Sequence, residues 1–326
     1  MKIAFFVGIF FPQPGGVQVQ THNMANTIVK MGYDIDFFLL NKSNVKNNLY
    51  KLIIINKFII SLFFYLNFYL KINLSIIFRV YLKYFLKVDK YDLFHFHFLN
   101  HKMLYLIDNL KYFQKKIIVT FHGADIQFDK NFNYGFRIDE TYERLFKSVI
   151  FKIDYFFTIS KSIKKDILKI GIDEKRIFSS PNSVSLEKIN KFKNLEENIK
   201  DKIHILTVAR FAKNTKGLDL IPEIANKLSE KNINYKWSLV GKNIDQIKKF
   251  KDMDRYEKNF KFYDNIQNFE EDIFPNSELI KIYKNNHIYV SLSRIEAFPI
   301  TLLEALACGL PVLSFNTKGG NELIVN

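Results

Sequence analysis

The chain of 326 residues holds one cysteine, Cys308. No disulfide can form within it, and a reducing compartment is compatible with that usage. Acidic residues are missing altogether from residues 37–88, where eight basic ones stand: Lys42, Lys46, Lys51, Lys57, Lys71, Arg79, Lys83 and Lys87. Long apolar runs are also missing. Residues 58–70 are uncharged over only 13 positions, short of the roughly 20 that a spanning helix needs. Carrying the run across Lys71 would cost about 2.5–3.5 kcal/mol at mid-membrane, so a transmembrane reading is rejected. The opening Met-Lys-Ile-Ala-Phe-Phe-Val-Gly is too short an apolar run for a signal peptide and reads as a first strand. Glycine (12) and proline (7) are scarce beside 34 phenylalanines. An AT-rich genome would produce that bias, which takes weight off arguments from composition.

What is present is ordinary for a soluble globular protein: 48% hydrophobic and 25% charged residues. The length points to two domains. The net charge of +15 favours anionic partners: nucleic acid, anionic headgroups or phosphorylated substrates. The lysines are dispersed and no recognised nucleic-acid module occurs, so nucleic acid is not expected. Lys71, Arg79, Lys83 and Lys87 recur at multiples of four. On a helix over 72–87 they form one basic stripe, with apolar residues elsewhere. Such a helix suits an anionic membrane surface, and 51–87 is the candidate membrane-facing segment. It equally suits a helix packed on its own domain with a solvated lysine face.

The chain is organised around residues 294–311, Arg-Ile-Glu-Ala-Phe-Pro-Ile-Thr-Leu-Leu-Glu-Ala-Leu-Ala-Cys-Gly-Leu-Pro. An alternating run at 287–293 before it reads as a strand. Pro299 suits a first helical position, Gly309 a position just past the helix end, and Pro311 blocks continuation. Glu296 then lies in the turn at the carboxyl end of a strand, and Glu304 early in the helix. Ligands bind at that edge of an open α/β sheet. Two carboxylates so placed suit two hydroxylated groups of one ligand, such as a sugar and a ribose. The plainer reading is a solvated turn carboxylate and a helix carboxylate near the dipole.

The first half opens with a strand at 2–7, then Pro12-Gln-Pro-Gly15-Gly16, then a helical pattern to Met31. This is a phosphate-cradling arrangement or an ordinary loop. Further strands are read at 34–40, 91–98, 116–121, 155–160 and 176–180. His95 and His97 end the second of these without a third metal ligand at matching spacing, so they are read as strand-edge histidines. The third strand runs into His122-Gly123-Ala124-Asp125. There His122 is placed to donate to a sugar oxygen or phosphate, or to serve as a core histidine. Residues 1–185 form one expected domain, 186–202 a polar connector, and 203–326 a second domain.

That second half repeats the opening. A strand at 203–209 delivers Arg210, and Lys216-Gly217 begins a helix through Leu228. The two cations would clamp a diphosphate or simply face solvent. A strand at 235–240 ends in Gly241-Lys242-Asn243, where the glycine allows a close backbone approach and Asn243 suits the left-handed conformation. A strand at 260–263, a helix at 277–285 and a strand at 311–315 complete the pattern.

Glu296-x7-Glu304, with Phe298-Pro299 inside and Ala-Cys-Gly-Leu-Pro-Val behind, resembles the signature of glycosyltransferase family 4. Arg210-Phe211 followed by Lys216-Gly217 and the Gly15-Gly16 loop are similar to the same family. Ser183 replaces the usual glycine of Pro-Asn-Gly-Val, and Asn243 the second glycine of Gly-x-Gly. The resemblance covers almost the whole chain. It implies an α/β fold of two facing Rossmann-like domains (GT-B), with the second incomplete at the C-terminus because members continue further. It also implies a retaining transferase that moves a hexosyl unit from a nucleoside diphosphate sugar to a hydroxyl of a glycan or lipid-linked acceptor, in cell-surface polysaccharide or glycolipid assembly. The course is front-face and oxocarbenium-like, without metal or cofactor. In that scheme Arg210, Lys216 and the Gly15-Gly16 loop bind the diphosphate. Glu296, Phe298 and Pro299 shape the sugar subsite, Glu304 holds the ribose, Gly241 lies against the donor, and His122 contacts the sugar. A cytoplasmic protein, peripheral on the inner face of the membrane, is expected. The alternative is a catalytically silent nucleotide-binding or membrane-surface protein.

Overall fold

Most of the apolar runs become strands covered on both faces. Lys2–Val7 (β1) and Asp34–Leu39 (β2) are each buried at five of six positions, a continuous pattern that a parallel strand between two helical layers requires. The computed structural model describes all residues except 12–14, 44, 194–201, 265, 267–270 and 325–326. It divides into two units, one of residues 1–13 and 17–181, the other of 14–16 and 182–326.

Gly16–Lys30 (α1), which belongs to the first unit from Val17 on, links β1 to β2. Then come Lys51–Ile54 (β3), Lys57–Phe68 (α2), Ser75–Phe85 (α3), Leu93–His97 (β4), His101–Leu110 (α4) and Lys116–Phe121 (β5). Glu140–Val149 (α5), Tyr155–Thr158 (β6), Lys161–Lys169 (α6) and Ile177–Ser179 (β7) finish it. The seven strands lie in the order β3-β2-β1-β4-β5-β6-β7, every described pairing parallel. The order reverses between β1 and β4, the position of a topological switch. Phenylalanines stack across it: Phe6 lies 4.7 Å from both Phe38 and Phe96. Ser160 caps α6 by accepting from the Ile163 amide at 3.2 Å.

The second unit begins with Leu186–Ile189 (α7), whose Ile189 is fully buried in that unit's core. Of the stretch read as a connector, 194–201 lies outside the described residues. Ile203–Val208 (β8), Lys213–Lys216 (α8), Ile221–Glu230 (α9), Tyr235–Val240 (β9), Phe260–Tyr263 (β10), Ser277–Lys284 (α10), Ile288–Ser291 (β11), Ile300–Ala307 (α11) and Val312–Ser314 (β12) follow. This parallel sheet runs β10-β9-β8-β11-β12, with its switch between β8 and β11. Asn243 adopts the left-handed conformation, φ 57°.

Three local expectations are corrected. Lys216 does not begin a helix. It ends α8, Gly217 turns left-handed at φ 62°, and α9 starts only at Ile221, where Pro222 suits a first turn. The strand β3 was not anticipated, because its run of four residues merges with the apolar stretch that becomes α2. The proposed helix over 72–87 is shorter. Lys71 and Lys87 lie outside α3 with φ of 60° and 50°, so the basic stripe does not form. Within α3, Arg79 sits 4.5 Å over the Tyr112 ring, and Lys83 lies 3.8 Å from Asp89.

Candidate active site

The carboxyl edge of the second sheet gathers most of the residues singled out. Arg210 follows β8 and is exposed, Lys216 closes α8, and Glu296 stands in the turn between β11 and α11. They therefore straddle the switch point between β8 and β11, the place at which open α/β sheets bind ligands. Lys216 Nζ lies 2.5 Å from Glu296 Oε1, with both side chains mostly buried.

Packing explains that placement. The Gly217 α-carbon presses on the end of β11, and an added Cβ would lie 1.9 Å from the Leu292 carbonyl oxygen. Only glycine fits this approach and its positive φ. The Arg294 amide donates to the Thr215 carbonyl at 2.8 Å. Its guanidinium donates to both Asp219 oxygens at 2.7 and 2.8 Å, the bidentate geometry that fixes a planar fork. The loop bearing Lys216 is thus fastened to the turn bearing Glu296 at three points.

The rest of that turn is held from behind. The Glu296 carbonyl accepts from the Gly319 amide at 2.9 Å, and the Phe298 carbonyl accepts from Asn182 Nδ2 at 3.1 Å. Pro299 is buried at the cap of α11, one position earlier than anticipated. Glu304 lies in the middle of that helix and is 3% exposed. The Tyr283 hydroxyl donates to its Oε2 at 2.8 Å. Burial outweighs that bond and pushes the carboxyl pKa up to about 7. Gly241 makes its close approach to the protein itself: a Cβ there would lie 2.2 Å from the Ala209 carbonyl oxygen. That approach seats the residue after β8, beside Arg210. Gly15 forms a bend and Gly16 opens α1, while Pro12–Pro14 of that loop lie outside the described residues.

In the first unit, His95 and His97 alternate with the pleat and share one face of β4, their rings 4.1 Å apart. His95 Nε2 meets Thr120 Oγ1 at 2.8 Å, and His97 Nδ1 meets His122 Nε2 at 3.2 Å. Burial depresses all three imidazoles, His95 and His122 to about 3, so they are neutral at pH 7. His122 follows β5 and is partly exposed. Asp125 sets its backbone. One carboxylate oxygen accepts from the His122 and Gly123 amides at 3.0 and 2.9 Å, and the other from Leu99 at 3.2 Å. Burial nevertheless pushes the Asp125 pKa up to about 7. Among the described residues, no group of three or more His, Cys, Asp or Glu side chains is placed to hold a metal ion.

The family model for glycosyltransferase family 4 matches residues 14–188, and that for glycosyl transferases group 1 matches 188–326. The chain belongs to glycosyltransferase family 4. A similar curated protein is an uncharacterized glycosyltransferase of Methanocaldococcus jannaschii, 26% identical over 239 residues. That match takes in 70% of this chain and 58% of the relative, so the chain spans little more than half of the relative's length. The glycosyltransferase of Rickettsia africae superposes with a TM-score of 0.69 at 19% identity, over 99% of this chain and 82% of that one. A structure of Anabaena HepE, solved in complex with UDP and glucose, superposes at 0.65 and 14% identity over 100% and 83%. The family 4 chain shares with these the α/β GT-B fold.

Several residues that position the side chains singled out in each unit gave no functional signal in the sequence. Asp219 and Arg294 are separated by 75 positions, and Tyr283 by 21 from Glu304. Asp125 was legible only as a residue beside His122-Gly123.

Proposed function

We propose that this chain transfers a hexosyl unit from a nucleoside diphosphate sugar to a hydroxyl acceptor, with retention of anomeric configuration. The observation that carries the reading is the Lys216–Glu296 pair at the carboxyl edge of the β8/β11 switch. A cation there meets the diphosphate, and a carboxylate beside it accepts from sugar hydroxyls. Arg210 joins Lys216 in stabilising charge on the departing diphosphate. Phe298 and Pro299 wall the sugar subsite, Glu304 takes the ribose, and Gly15-Gly16 lies against the phosphates. His122, neutral, donates to the donor sugar. The Anabaena protein's complex with UDP and glucose supports the donor class.

The bond from the anomeric carbon to the diphosphate breaks, and a bond to the acceptor oxygen forms on the same face. The acceptor proton passes to the departing phosphate oxygen, which gains charge in that step. The two protein cations take the place of a divalent metal. The acceptor is a glycan or lipid-linked hydroxyl in cell-surface assembly, met at the inner face of the membrane.

The test is a panel of nucleotide sugars, with release of nucleoside diphosphate followed in the presence and absence of EDTA. Release with one donor, unaffected by EDTA, and an unchanged anomeric configuration by NMR are expected. Tight donor binding without turnover for every sugar and acceptor tried would identify a silent nucleotide-binding protein instead.

A further inference from the structure

The helices α2 and α3 lie side by side on α4, which they reach through a shared aromatic contact. Phe64 and Phe78 stand 5.8 and 5.0 Å from the Tyr105 ring. Their inner faces are satisfied: Ile60, Phe64, Phe78 and Leu82 are all buried. Their outer faces are apolar as well. On α2 and just past its end, Phe58, Leu62, Tyr65 and Tyr69 follow i, i+4, i+7, i+11, all exposed. On α3, Ile76, Val80 and Tyr84 follow i, i+4, i+8, with Ile77 beside them, and all four are exposed, Ile76 at 77%. A solvent-facing helix carries polar residues in these positions. Two adjacent apolar rows make a patch that calls for a partner.

We propose that this face seats on an anionic bilayer, its two apolar rows inserted at the headgroup level and its lysines at the rim. Charge selects the occupant. No acidic residue occurs between 38 and 88, and Lys57, Lys71, Lys83 and Lys87 are exposed around the rows. A second copy docked face to face would bring these cations together, which opposes association. An anionic leaflet takes them favourably. Tyr65, Tyr69 and Tyr84 offer rings with polar tips, the side chains suited to the membrane interface. No described helix is long and apolar enough to cross a membrane, so the pair lies in the plane of the interface rather than through it. Insertion of apolar side chains thereby takes the leading part that the basic stripe of an amphipathic helix over 72–87 was expected to have. It concerns a surface and does not rest on the transfer chemistry.

The experiment is co-sedimentation of the full chain with phosphatidylglycerol-containing and with neutral phosphatidylcholine vesicles. Donor hydrolysis without vesicles is measured in parallel. The chain is expected to bind the anionic vesicles and to weaken with salt. Ile76→Ser, Val80→Ser and Tyr84→Ser together are expected to lower the partition constant by about tenfold or more, with unchanged circular dichroism. Lys71→Gln, Lys83→Gln and Lys87→Gln together should remove the preference for anionic lipid. Binding as strong in the apolar triple variant as in the unaltered chain would overturn the proposal. So would an unaltered chain that stays in the supernatant at low salt. A concentration-dependent dimer that the apolar variant abolishes, without vesicle binding, would assign the face to a second copy. Loss of donor hydrolysis with vesicle binding intact would count against the transferase reading alone.

Discussion

Lys216 Nζ and Glu296 Oε1 stand 2.5 Å apart, although 80 residues separate them in the chain. Each is the other's charge partner in the structure, and each is assigned a different part of the same donor. Under the proposed function, donor binding would exchange this ion pair for two ligand contacts, and until then the pair holds both side chains in place.

Lys216→Ala is expected to lower kcat/KM by roughly 30- to 1,000-fold, the worth of a charge-assisted contact to a leaving group. The thermal midpoint should move by only a few degrees, since the pair is not fully desolvated. The exchange Lys216→Glu with Glu296→Lys restores a pair but not the two roles, and should remain as inactive as the single variant. Steady-state kinetics with calorimetry on the same preparations checks this. Recovery of activity in the exchanged protein would assign the pair a purely structural function.

Asp219→Asn and Arg294→Gln are each expected to reduce kcat by about tenfold to a hundredfold through misplacement of Lys216. Donor KM should change less. Because both act through one bidentate contact, the double variant should be no worse than either single one. Additive losses would separate the two residues.

Glu304 carries a carboxyl pushed up to about 7 by burial. The ionised form is the stronger acceptor for ribose hydroxyls, so donor KM should fall as pH rises from about 6 to 8. Glu304→Gln should flatten that profile. Stability runs the other way. A carboxyl raised from 4.5 contributes stability that is lost as pH climbs toward 7, at up to about 1.4 kcal/mol per pH unit. A donor KM and a melting temperature that both fall as pH rises, each dependence abolished by the substitution, are the expected signature.

His95 and His97 are buried and neutral, with pKa values pushed below the ordinary 6.5. Unfolding lets them take up protons, so their stability is full above about pH 6.5 and is lost as pH falls. Asp125, raised from 3.8 to about 7, opposes this by gaining stability over the same descent. His122 adds to the loss and Glu304, raised to about 7, to the gain, so three histidines against two carboxyls leave a net loss of up to about 1.4 kcal/mol per pH unit. His95→Gln should abolish that slope in urea titrations of the chain between pH 6.5 and 5. An unchanged slope would place the buried histidines' protons elsewhere.

The sequence by itself determined every strand but β3, and the sheet edge on which the candidate site residues gather. The run at 3–7 is apolar throughout, and a parallel strand covered on both faces permits little else. The signature from Glu296 to Pro311 is local, because a strand end, a turn and a helix start are written within one short stretch. Tertiary structure alone decided which residues meet. The clasp of Arg294 on Asp219, the Lys216–Glu296 pair and the burial of Glu304 against Tyr283 all join segments distant in the chain, and no periodicity encodes such distances. It also decided the fate of the basic stripe. Helical spacing aligned Lys71 with Lys87, but the backbone turns left-handed at both, and α3 shows its apolar side to the surroundings.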